Sequence, residues 1–567
     1  MSKENLKLRL SGLILVLLAS FIVLGGGLGH YPLFNPDEAL YAEPAREMLV
    51  TGEYVTTLLN YVVRYTKPPL CIWAMALCFK LFGVNEMAAR LFGVGCGTIL
   101  VAVVYLFIAR YISVRAAVIG ALSLVFAPLF VLTAREAITD MPLALFMAGS
   151  QLAFFHAFKR RSFPFAMIAY LLLGLAVMTK GPVGLVLPLG ILFVYHFLRG
   201  ELKVALQFYK PLIGALFVGL ISLPWFILEI SVTKGAYFQE FIVRENFQRF
   251  TAVVDNHKQP FWYHGAAMFA GYFPFSFYLP QILFVQAKRL VTLLRANFSR
   301  TEARSNPGEN AGASVFSILA KIRSLLLVQS PAEDLYFYCL LWALSVLIFY
   351  SMSVSKLLPY TLPAFPAMAI LVAGELEAAF VTSSFTRLGY PLLAMVIVYA
   401  GAGALGPQLM RRAKSLPAGI PALLRSFAAM QTGAAFLALV LLRLRRNVIA
   451  LTAFALISAG VFAVYLNLAL PLIAAKLEGP LPQYARVAGQ AEGEIIVFDM
   501  RKPGVPFYAL RRVENINGGD ELKAHLAAVP VASILSKIDK LEFLKTLPSV
   551  TLTSQEGDYC LLQHRAR

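Results

Sequence analysis

Long apolar runs are the feature that most constrains what this chain can fold into. They recur from near residue 11 to near residue 470, and none shows the alternation of a barrel strand. Backbone polar groups find no water inside a bilayer, so runs of this length must form helices. With 59% hydrophobic and 14% charged residues, the chain is a polytopic membrane protein. We expect about thirteen spans, near 11–30, 88–110, 114–133, 140–158, 163–180, 182–199, 211–229, 264–287, 335–354, 357–377, 388–406, 424–442 and 448–470.

Basic residues indicate which side of the membrane each loop faces. The formal net charge is +19, but much of it lies in short loops between spans, where Lys and Arg set topology. We therefore predict no nucleic-acid partner. The cluster Lys159–Arg161, the run Arg443–Arg446 and the loop 288–334 fall on the same side as the N-terminus. That excess predicts a cytoplasmic N-terminus, and an odd number of spans then places the C-terminus outside.

The composition changes after Pro471. EIIVFDM, PFYAL and DYCLLQH are short apolar runs typical of strands, and residues 520–528 and 533–546 have helical spacing. The sequence therefore predicts an all-α membrane domain at 1–470 and a small soluble α/β domain at 471–567 outside the membrane. The membrane domain has an exterior loop at 31–87 and a cytoplasmic loop at 288–334.

The exterior loop 31–87 is unusually polar for a segment so early in a membrane protein. Its first part reads YPLFNPDEALYAEPAREMLVTGEYVTTLLNYVVRYTKPPL. Asn35 can cap a helix and Pro36 suits its first position, which places Asp37 and Glu38 in the first turn, near the positive end of the helix dipole. These carboxylates either only begin a helix or take part in chemistry.

Other exterior span ends repeat the same residue types. Arg135 and Asp140 lie in TAREAITDMP, Lys180 lies in TKGP, and Lys356 precedes Tyr360 in SKLLPYTLP. A single charged group at a span end can simply extend to the interface. Several on one side, each beside Pro or Gly, favour a shared cavity. Cations facing a carboxylate suit a sugar bound to a phosphate leaving group, because positive charge stabilises the departing phosphate while the carboxylate serves the acceptor.

Ordered motifs over most of residues 1–370 carry a family resemblance. NPDEALYAEPAREMLVTGEYV, YTKPPL, AREAITDMPL, MTKGP, QPFWYH and SKLLPYTLPAFPAMA resemble the bacterial aminoarabinose transferases (ArnT) and, more loosely, the protein O-mannosyltransferases of the GT-C class. The resemblance implies a GT-C bundle with exterior juxtamembrane helices, set in a bacterial inner membrane. It also implies an inverting glycosyltransferase with a periplasmic active site, which moves a pentose or hexose from undecaprenyl phosphate to lipid A or another envelope acceptor.

The resemblance also assigns roles to individual residues. Asp37 is expected to be the principal catalytic carboxylate, with Glu38 beside it and Asp140 as its partner acid. Lys67 and Lys180 are expected to contact the phosphate. The other substrate-binding candidates are Lys356, Tyr41, Tyr65, Tyr360, Arg135, Arg249 and His264.

Two departures from the family pattern concern metal and charge. The first motif usually reads DEARY, whereas Leu40 stands here in place of the arginine. Thr66 stands where the family has an acid before KPP that can help to bind zinc, and losing a carboxylate ligand weakens a metal site. We assign no metal ligands and no cofactor. A divalent metal is compatible with the sequence but is not required by it.

Several alternatives stay open at this point. The acceptor is a lipid A phosphate, a glycan hydroxyl or a Ser/Thr hydroxyl of a protein, as in the O-mannosyltransferases. A flippase or transporter of lipid-linked sugars would also have many spans and a basic cavity, but it predicts pseudo-repeated halves or charges at mid-membrane depth. A membrane scaffold that displays the C-terminal domain would not need Asp37. All these readings include membrane lipids as partners.

Overall fold

The computed structural model of this protein describes residues 3–248, 259–288, 331–382, 384–412 and 416–566. Within these ranges, ten helices are long and apolar enough to cross a bilayer. Two bent pairs of helices raise the number of spans to as many as twelve. The predicted membrane-spanning helical bundle is confirmed, with ten to twelve spans in place of about thirteen.

The helices of residues 3–232 include both spans and shorter segments between them. They are α1 (Lys3–Gly25), α2 (Ala39–Thr51), α3 (Leu70–Phe82), α4 (Glu86–Tyr111), α5 (Val114–Val125), α6 (Pro128–Ala134), α7 (Asp140–Arg160), α8 (Phe163–Lys180), α9 (Val183–Arg199), α10 (Leu202–Tyr209) and α11 (Pro211–Val232). A π-helix at Phe238–Gln248 follows them.

The second part of the bundle begins after residue 259. Its helices are α12 (Tyr263–Gly271), α13 (Phe275–Lys288), α14 (Pro331–Met352), α15 (Phe365–Val381), α16 (Phe385–Arg412), α17 (Ile420–Arg443) and α18 (Asn447–Glu478). A 3₁₀ turn at Leu358–Ala364 leads into α15.

Prolines explain why fewer segments than expected are straight spans. The expected span 114–133 is bent by 65° between α5 and α6, where Pro128 begins the second helix. The expected span 264–287 is bent by 112° between α12 and α13, next to Pro274. Proline has no backbone N–H and blocks the preceding turn, so a helix breaks there. Expected span 182–199 is the 17-residue helix α9, which is apolar but short.

The exterior loop 31–87 folds into α2, a hairpin of β1 (Leu58–Leu59) and β2 (Val62–Val63), and α3. The predicted cap at Asn35 is wrong, because α2 begins only at Ala39. The Asn35 side chain instead bonds to the C-terminal region: its amide donates to Glu478 (2.8 Å), and its carbonyl oxygen accepts from the N–H of Gly504 (2.6 Å). Asp37 and Glu38 therefore lie in the turn just before α2.

The C-terminal region forms a five-stranded mixed sheet with strand order β4-β3-β5-β7-β6. The central strands β3 and β5 are parallel, and β7 is antiparallel to both of its neighbours. The elements are α19 (Leu481–Gln490), β3 (Glu494–Phe498), α20 (Gly504–Ala509), β4 (Glu514–Ile516), α21 (Gly519–Ala528), β5 (Val531–Lys537), α22 (Leu541–Lys545), β6 (Val550–Glu556) and β7 (Tyr559–Arg565).

The predicted α/β character of this region is confirmed. One expected strand is a helix, however, and one expected helix begins as a strand. The segment PFYAL is not a strand: its first four residues end helix α20, and Leu510 follows the helix. The expected helix 533–546 begins inside strand β5 and becomes helical only after it. Short apolar runs do not separate buried strand from buried helix by periodicity alone. The interior of β5 is buried on both faces, so the alternation that marks a half-exposed strand is missing.

One apolar core is shared by the exterior loop and the C-terminal sheet domain. Leu33, Met48 and Phe79 from the loop pack in the same cluster as Phe507 and Leu561. The rings of Phe79 and Phe507 lie 6.0 Å apart. The sheet domain therefore covers the exterior loop and lies on the same side of the bundle. The predicted division at 470/471 falls inside α18, which continues to Glu478.

At the opposite end of the bundle, a buried carboxylate ties three helices together. Asp334 at the start of α14 accepts a hydrogen bond from Tyr195 of α9 (2.8 Å) and pairs with Arg199 of α9 (3.5 Å) and with Lys159 of α7. This is the end that the positive charges predicted to be cytoplasmic.

Candidate active site

Glu38, in the loop predicted to be exterior, is a buried carboxylate with protein partners on both of its oxygens. It is 1% exposed and forms a two-pronged ion pair with Arg90 of α4, at 2.7 and 2.8 Å. Its oxygens also accept from the N–H groups of Phe34 and Ala137, each at 2.9 Å. With both oxygens occupied, Glu38 joins the loop to α4 and to the segment after α6. This placement favours a positioning role over the predicted direct catalytic one.

Asp37 stands beside Glu38 but is exposed. The negative charge of Asp37 raises the pKa of Glu136, which lies in the short segment between α6 and α7. Burial raises the pKa of Glu136 to about 8, and the charges of Glu38, Asp140 and Asp37 act in the same direction. The first exterior motif and the TAREAITDMP motif, about a hundred residues apart in the chain, therefore meet at one place.

Asp140 begins α7 and faces the last residue of α8. Its Oδ1 lies 2.6 Å from Nζ of Lys180. The Lys180 ammonium also lies over the ring of Tyr360, 5.0 Å from the centroid. The structure thus brings together the predicted residues Asp140, Lys180 and Tyr360 from three distant motifs.

Lys67 has a partner that the sequence did not indicate. Its Nζ lies 2.7 Å from Oε2 of Glu245 in the π-helix, and both side chains are largely buried. The Lys67 ammonium is also 6.0 Å from the ring centroid of Phe241. Nothing in the spacing of FQEFIVRENF distinguishes Glu245 from its neighbour Glu240, so only the folded chain identifies it.

Tyr41 belongs to the first motif and lies in the first turn of α2. It is 9% exposed, and the guanidinium of Arg64 lies 5.0 Å from its ring centroid. Burial raises the pKa of Tyr41, and the charges of Arg64 and Lys180 oppose that shift. Tyr65 packs against an aromatic cluster that includes Tyr237. Tyr41 is thus close to the charged groups, whereas Tyr65 packs beside them.

The SKLLPY turn packs against α12. The Nε2 atom of His264 lies 3.3 Å from the carbonyl oxygen of Leu357, and its ring stacks on Tyr360 with centroids 6.2 Å apart. Lys356 is buried and donates to the carbonyl of Ser353. Burial lowers the pKa of Lys356. His264 and Lys356 therefore line the Tyr360 side of the site.

Two further predicted residues do not join this cluster. Arg135 is 1% exposed and donates to the carbonyl of Val23 (2.9 Å) and to Asn467 (3.0 Å), so it holds α1 and α18 together. That geometry favours a structural role over the predicted substrate contact. Arg249 lies outside the described residues.

The described residues contain no group of three or more His, Cys, Asp or Glu side chains placed to hold a metal ion. Arg90, Arg64 and Glu245 are the site residues that sequence reasoning missed. Of these, Arg90 alone has a recognisable pattern, as a charged residue one turn inside an apolar span.

Comparison with known proteins gives matches in both sequence and fold. Residues 66–227 match the family described as dolichyl-phosphate-mannose-protein mannosyltransferase. A protein of Aquifex aeolicus is 28% identical over 367 residues, 64% of either chain. The undecaprenyl phosphate-alpha-4-amino-4-deoxy-L-arabinose arabinosyl transferase of Edwardsiella ictaluri is 28% identical over 351 residues, which cover 61% of this chain and 56% of that protein. The chain thus spans less than two thirds of the length of these two relatives.

The fold comparison covers nearly the whole chain. The crystal structure of ArnT from Cupriavidus metallidurans in the apo state superposes with a TM-score of 0.73 at 22% identity, covering 97% of both chains. The structure of the same protein bound to undecaprenyl phosphate gives a TM-score of 0.72 at 23% identity. The predicted resemblance to the ArnT-like and protein O-mannosyltransferase-like glycosyltransferases is therefore confirmed, in sequence over residues 66–227 and in fold over almost the entire chain.

Proposed function

We propose that this protein is a GT-C glycosyltransferase that moves a sugar from a polyprenyl phosphate, such as undecaprenyl phosphate, to lipid A or another envelope acceptor. The observation that carries the proposal is the meeting of Asp37, Asp140 and Lys180 at one end of the bundle. The ion pair Lys67–Glu245 belongs to the same end. The names of the transferase relatives and the undecaprenyl phosphate in the ArnT structure give the substrate class.

The chemistry follows from the charges. An acceptor oxygen attacks the anomeric carbon, the bond from that carbon to the phosphate oxygen breaks, and the polyprenyl phosphate leaves with the electron pair. Lys67 and Lys180 stabilise the departing phosphate, and Asp140 holds Lys180 in place. A single displacement inverts the sugar carbon and needs no covalent enzyme intermediate. The transferred sugar is an aminoarabinose-like pentose or a hexose.

The role of Asp37 depends on the acceptor. A lipid A phosphate is already an anion, so Asp37 then orients the substrate. A Ser, Thr or sugar hydroxyl is a poor nucleophile, and Asp37 then removes its proton as a general base. The match to a protein mannosyltransferase family favours the protein acceptor as the second candidate.

The membrane orientation belongs to the same proposal. The chain is a multi-pass membrane protein, and we place it in a bacterial inner membrane with the active site and the sheet domain in the periplasm. Lys159, Arg160 and Arg161 at the far end of α7 support this, because basic loops stay in the cytoplasm.

A transfer assay tests the function. Radiolabelled sugar on a polyprenyl phosphate is supplied to purified wild type and to Asp37→Asn, and label is measured in the lipid A and protein fractions. We expect label in lipid A with wild type, and a rate at least about a hundredfold lower for the variant. Asp520→Asn, an exposed aspartate of the sheet domain, is the matched control and should transfer normally.

The two fractions separate the candidate acceptors. Label in the protein fraction would indicate that the acceptor is a Ser or Thr hydroxyl and not lipid A. Absence of transfer by folded wild type from aminoarabinose and hexose donors would contradict the proposed activity, and an equal rate for Asp37→Asn would contradict the role of Asp37.

A further inference from the structure

The two lysines expected to bind phosphate are both already paired with a carboxylate. Lys67 lies 2.7 Å from Glu245, and Lys180 lies 2.6 Å from Asp140. Taken with only the described residues, each pair is close to neutral as a unit, and its carboxylate repels an incoming phosphate. A further cation beside these pairs would strengthen binding of a phosphate.

Arg64 is a cation of a different kind. It follows strand β2, donates to the backbone carbonyl of Leu40 and lies over the ring of Tyr41. Within the described part of the chain, no carboxylate oxygen lies in ion-pair distance of its guanidinium. The carboxylate whose charge it senses, Glu245, is the one that pairs with Lys67.

Burial of the Arg64 guanidinium is energetically unfavourable when no anion is bound beside it. Arg64 is only partly exposed, and burial lowers its pKa. A desolvated charge without a counterion is unfavourable, and an anion that reaches it removes that cost. A guanidinium has five N–H donors in a planar fork that matches two oxygens of a phosphate. The bonds to the Leu40 carbonyl and to Tyr41 occupy only part of this fork.

Arg64 lies in the same part of the site as Lys180 and Asp140. The charges of Arg64, Lys180 and Asp140 all act on the pKa of Tyr41, so these groups share its neighbourhood. Arg64 is also three residues before Lys67. In the resembling family the first motif has an arginine where this chain has Leu40, and the Arg64 guanidinium lies against the carbonyl of that same residue.

We propose that Arg64 binds the phosphate of the polyprenyl phosphate donor and provides, from the β-hairpin, the cation that position 40 lacks. The inference rests on the proposed function. The alternative is a purely structural role, in which the Arg64 side chain only packs on Tyr41 and donates to the Leu40 carbonyl.

Binding of undecaprenyl phosphate tests the proposal. Purified protein in nanodiscs is titrated with undecaprenyl phosphate and with undecaprenol, which lacks the phosphate, and tryptophan fluorescence reports binding. Trp225 is a suitable reporter because it packs in the same aromatic cluster as Tyr65. We expect Arg64→Gln to weaken undecaprenyl phosphate binding at least about tenfold and to leave undecaprenol binding unchanged. Arg512→Gln, on the surface of the sheet domain, is the matched control.

Two further variants keep the test independent of folding defects. Arg64→Lys keeps the charge and should recover part of the affinity. Leu40→Arg in the Arg64→Gln background returns a cation to the first motif and should restore binding of undecaprenyl phosphate. In transfer assays, Arg64→Gln should raise the KM for the donor and leave the KM for the acceptor unchanged.

The outcomes separate this inference from the proposed function. Equal phosphate-dependent binding by wild type and Arg64→Gln overturns the role of Arg64 and leaves the proposed function standing. A change confined to the acceptor KM, or an equal loss of undecaprenol binding, also overturns it. Absence of undecaprenyl phosphate binding by wild type overturns the proposed function itself.

Discussion

At the scale of single residues, the carboxylates of the site have different surroundings. Glu38 faces Arg90 and Asp140 faces Lys180, each within 2.7 Å. Glu136 has no ion pair among the described residues, and burial raises its pKa to about 8. At neutral pH Glu136 therefore holds a proton, which removes one negative charge from the neighbourhood of the exposed Asp37.

The raised pKa of Glu136 predicts how stability depends on pH. The unfolded chain loses this proton near pH 4.5 and the folded protein near pH 8. Between these values the folded state binds more protons, so the contribution of Glu136 to stability falls as pH rises. We expect Glu136→Gln to remove this decline. Unfolding in detergent micelles, followed at several pH values between about 5 and about 8, measures it.

An exposed glutamate provides the comparison for this experiment. Glu492→Gln removes a carboxylate from the surface between α19 and β3 and should follow the wild-type dependence on pH. Identical pH profiles for wild type and Glu136→Gln would show that Glu136 is not protonated in the folded protein.

At the scale of elements, the turn before α2 is fixed by contacts from the C-terminal part of the chain. Asn35 bonds to Glu478 at the end of α18 and to Gly504 at the start of α20. The N–H of Leu33 donates to the hydroxyl of Tyr508 at 2.8 Å. Asp37 lies two residues beyond Asn35, so the sheet domain sets the position of the expected catalytic carboxylate.

Loosening this turn should therefore slow transfer without preventing binding of the donor. We expect Asn35→Ala to lower the transfer rate about tenfold, because small displacements of a reacting group are costly. The affinity for undecaprenyl phosphate should change little, since Lys67 and Lys180 are held by other elements. Rate and affinity are measured on the same preparation.

Asn515→Ala in strand β4 is the control, because its side chain is exposed and lies away from the turn. If Asn35→Ala transferred at the wild-type rate, the contact with the sheet domain would have no part in placing Asp37.

At the scale of the whole molecule, the shared apolar core fixes which parts lie on one side of the bundle. The exterior loop and the sheet domain pack together, and the cluster around Asp334 lies at the other end. The positive charges of the α7–α8 turn lie at that far end. Fold and charge therefore agree on one orientation.

This orientation predicts where fused reporters work. A reporter placed after residue 567 should be active only outside the cytoplasm, and one inserted at Arg161 should be active only inside. Reporters that require an oxidising or a reducing compartment read the two sides. Cytoplasmic activity of the C-terminal fusion would contradict both the topology and the exterior active site.

The sequence by itself determined the class of protein and the residue types at the site. Hydropathy and composition are local properties, so apolar runs predicted each of the ten long helices among the described residues, most of them to within a few residues. The first begins well before the expected residue 11, and α18 continues past the expected residue 470 to Glu478. The positions of Asp37, Asp140, Lys67 and Lys180 in their motifs, all at one end of the bundle, could also be predicted. Proline positions in the sequence marked the two bent spans, although we expected straight helices there.

Only the tertiary structure decided which polar side chains pair with each other. Lys67 and Glu245 are 178 residues apart in the chain, and Asn35 and Glu478 are 443 apart. Such pairs form because packing of distant helices brings them together, and no local pattern encodes that meeting. Burial and partners also assign Glu38 and Arg135 to structural roles. They place Arg64 beside Leu40, with no carboxylate in ion-pair distance among the described residues. These properties belong to the folded chain and not to any one segment of it.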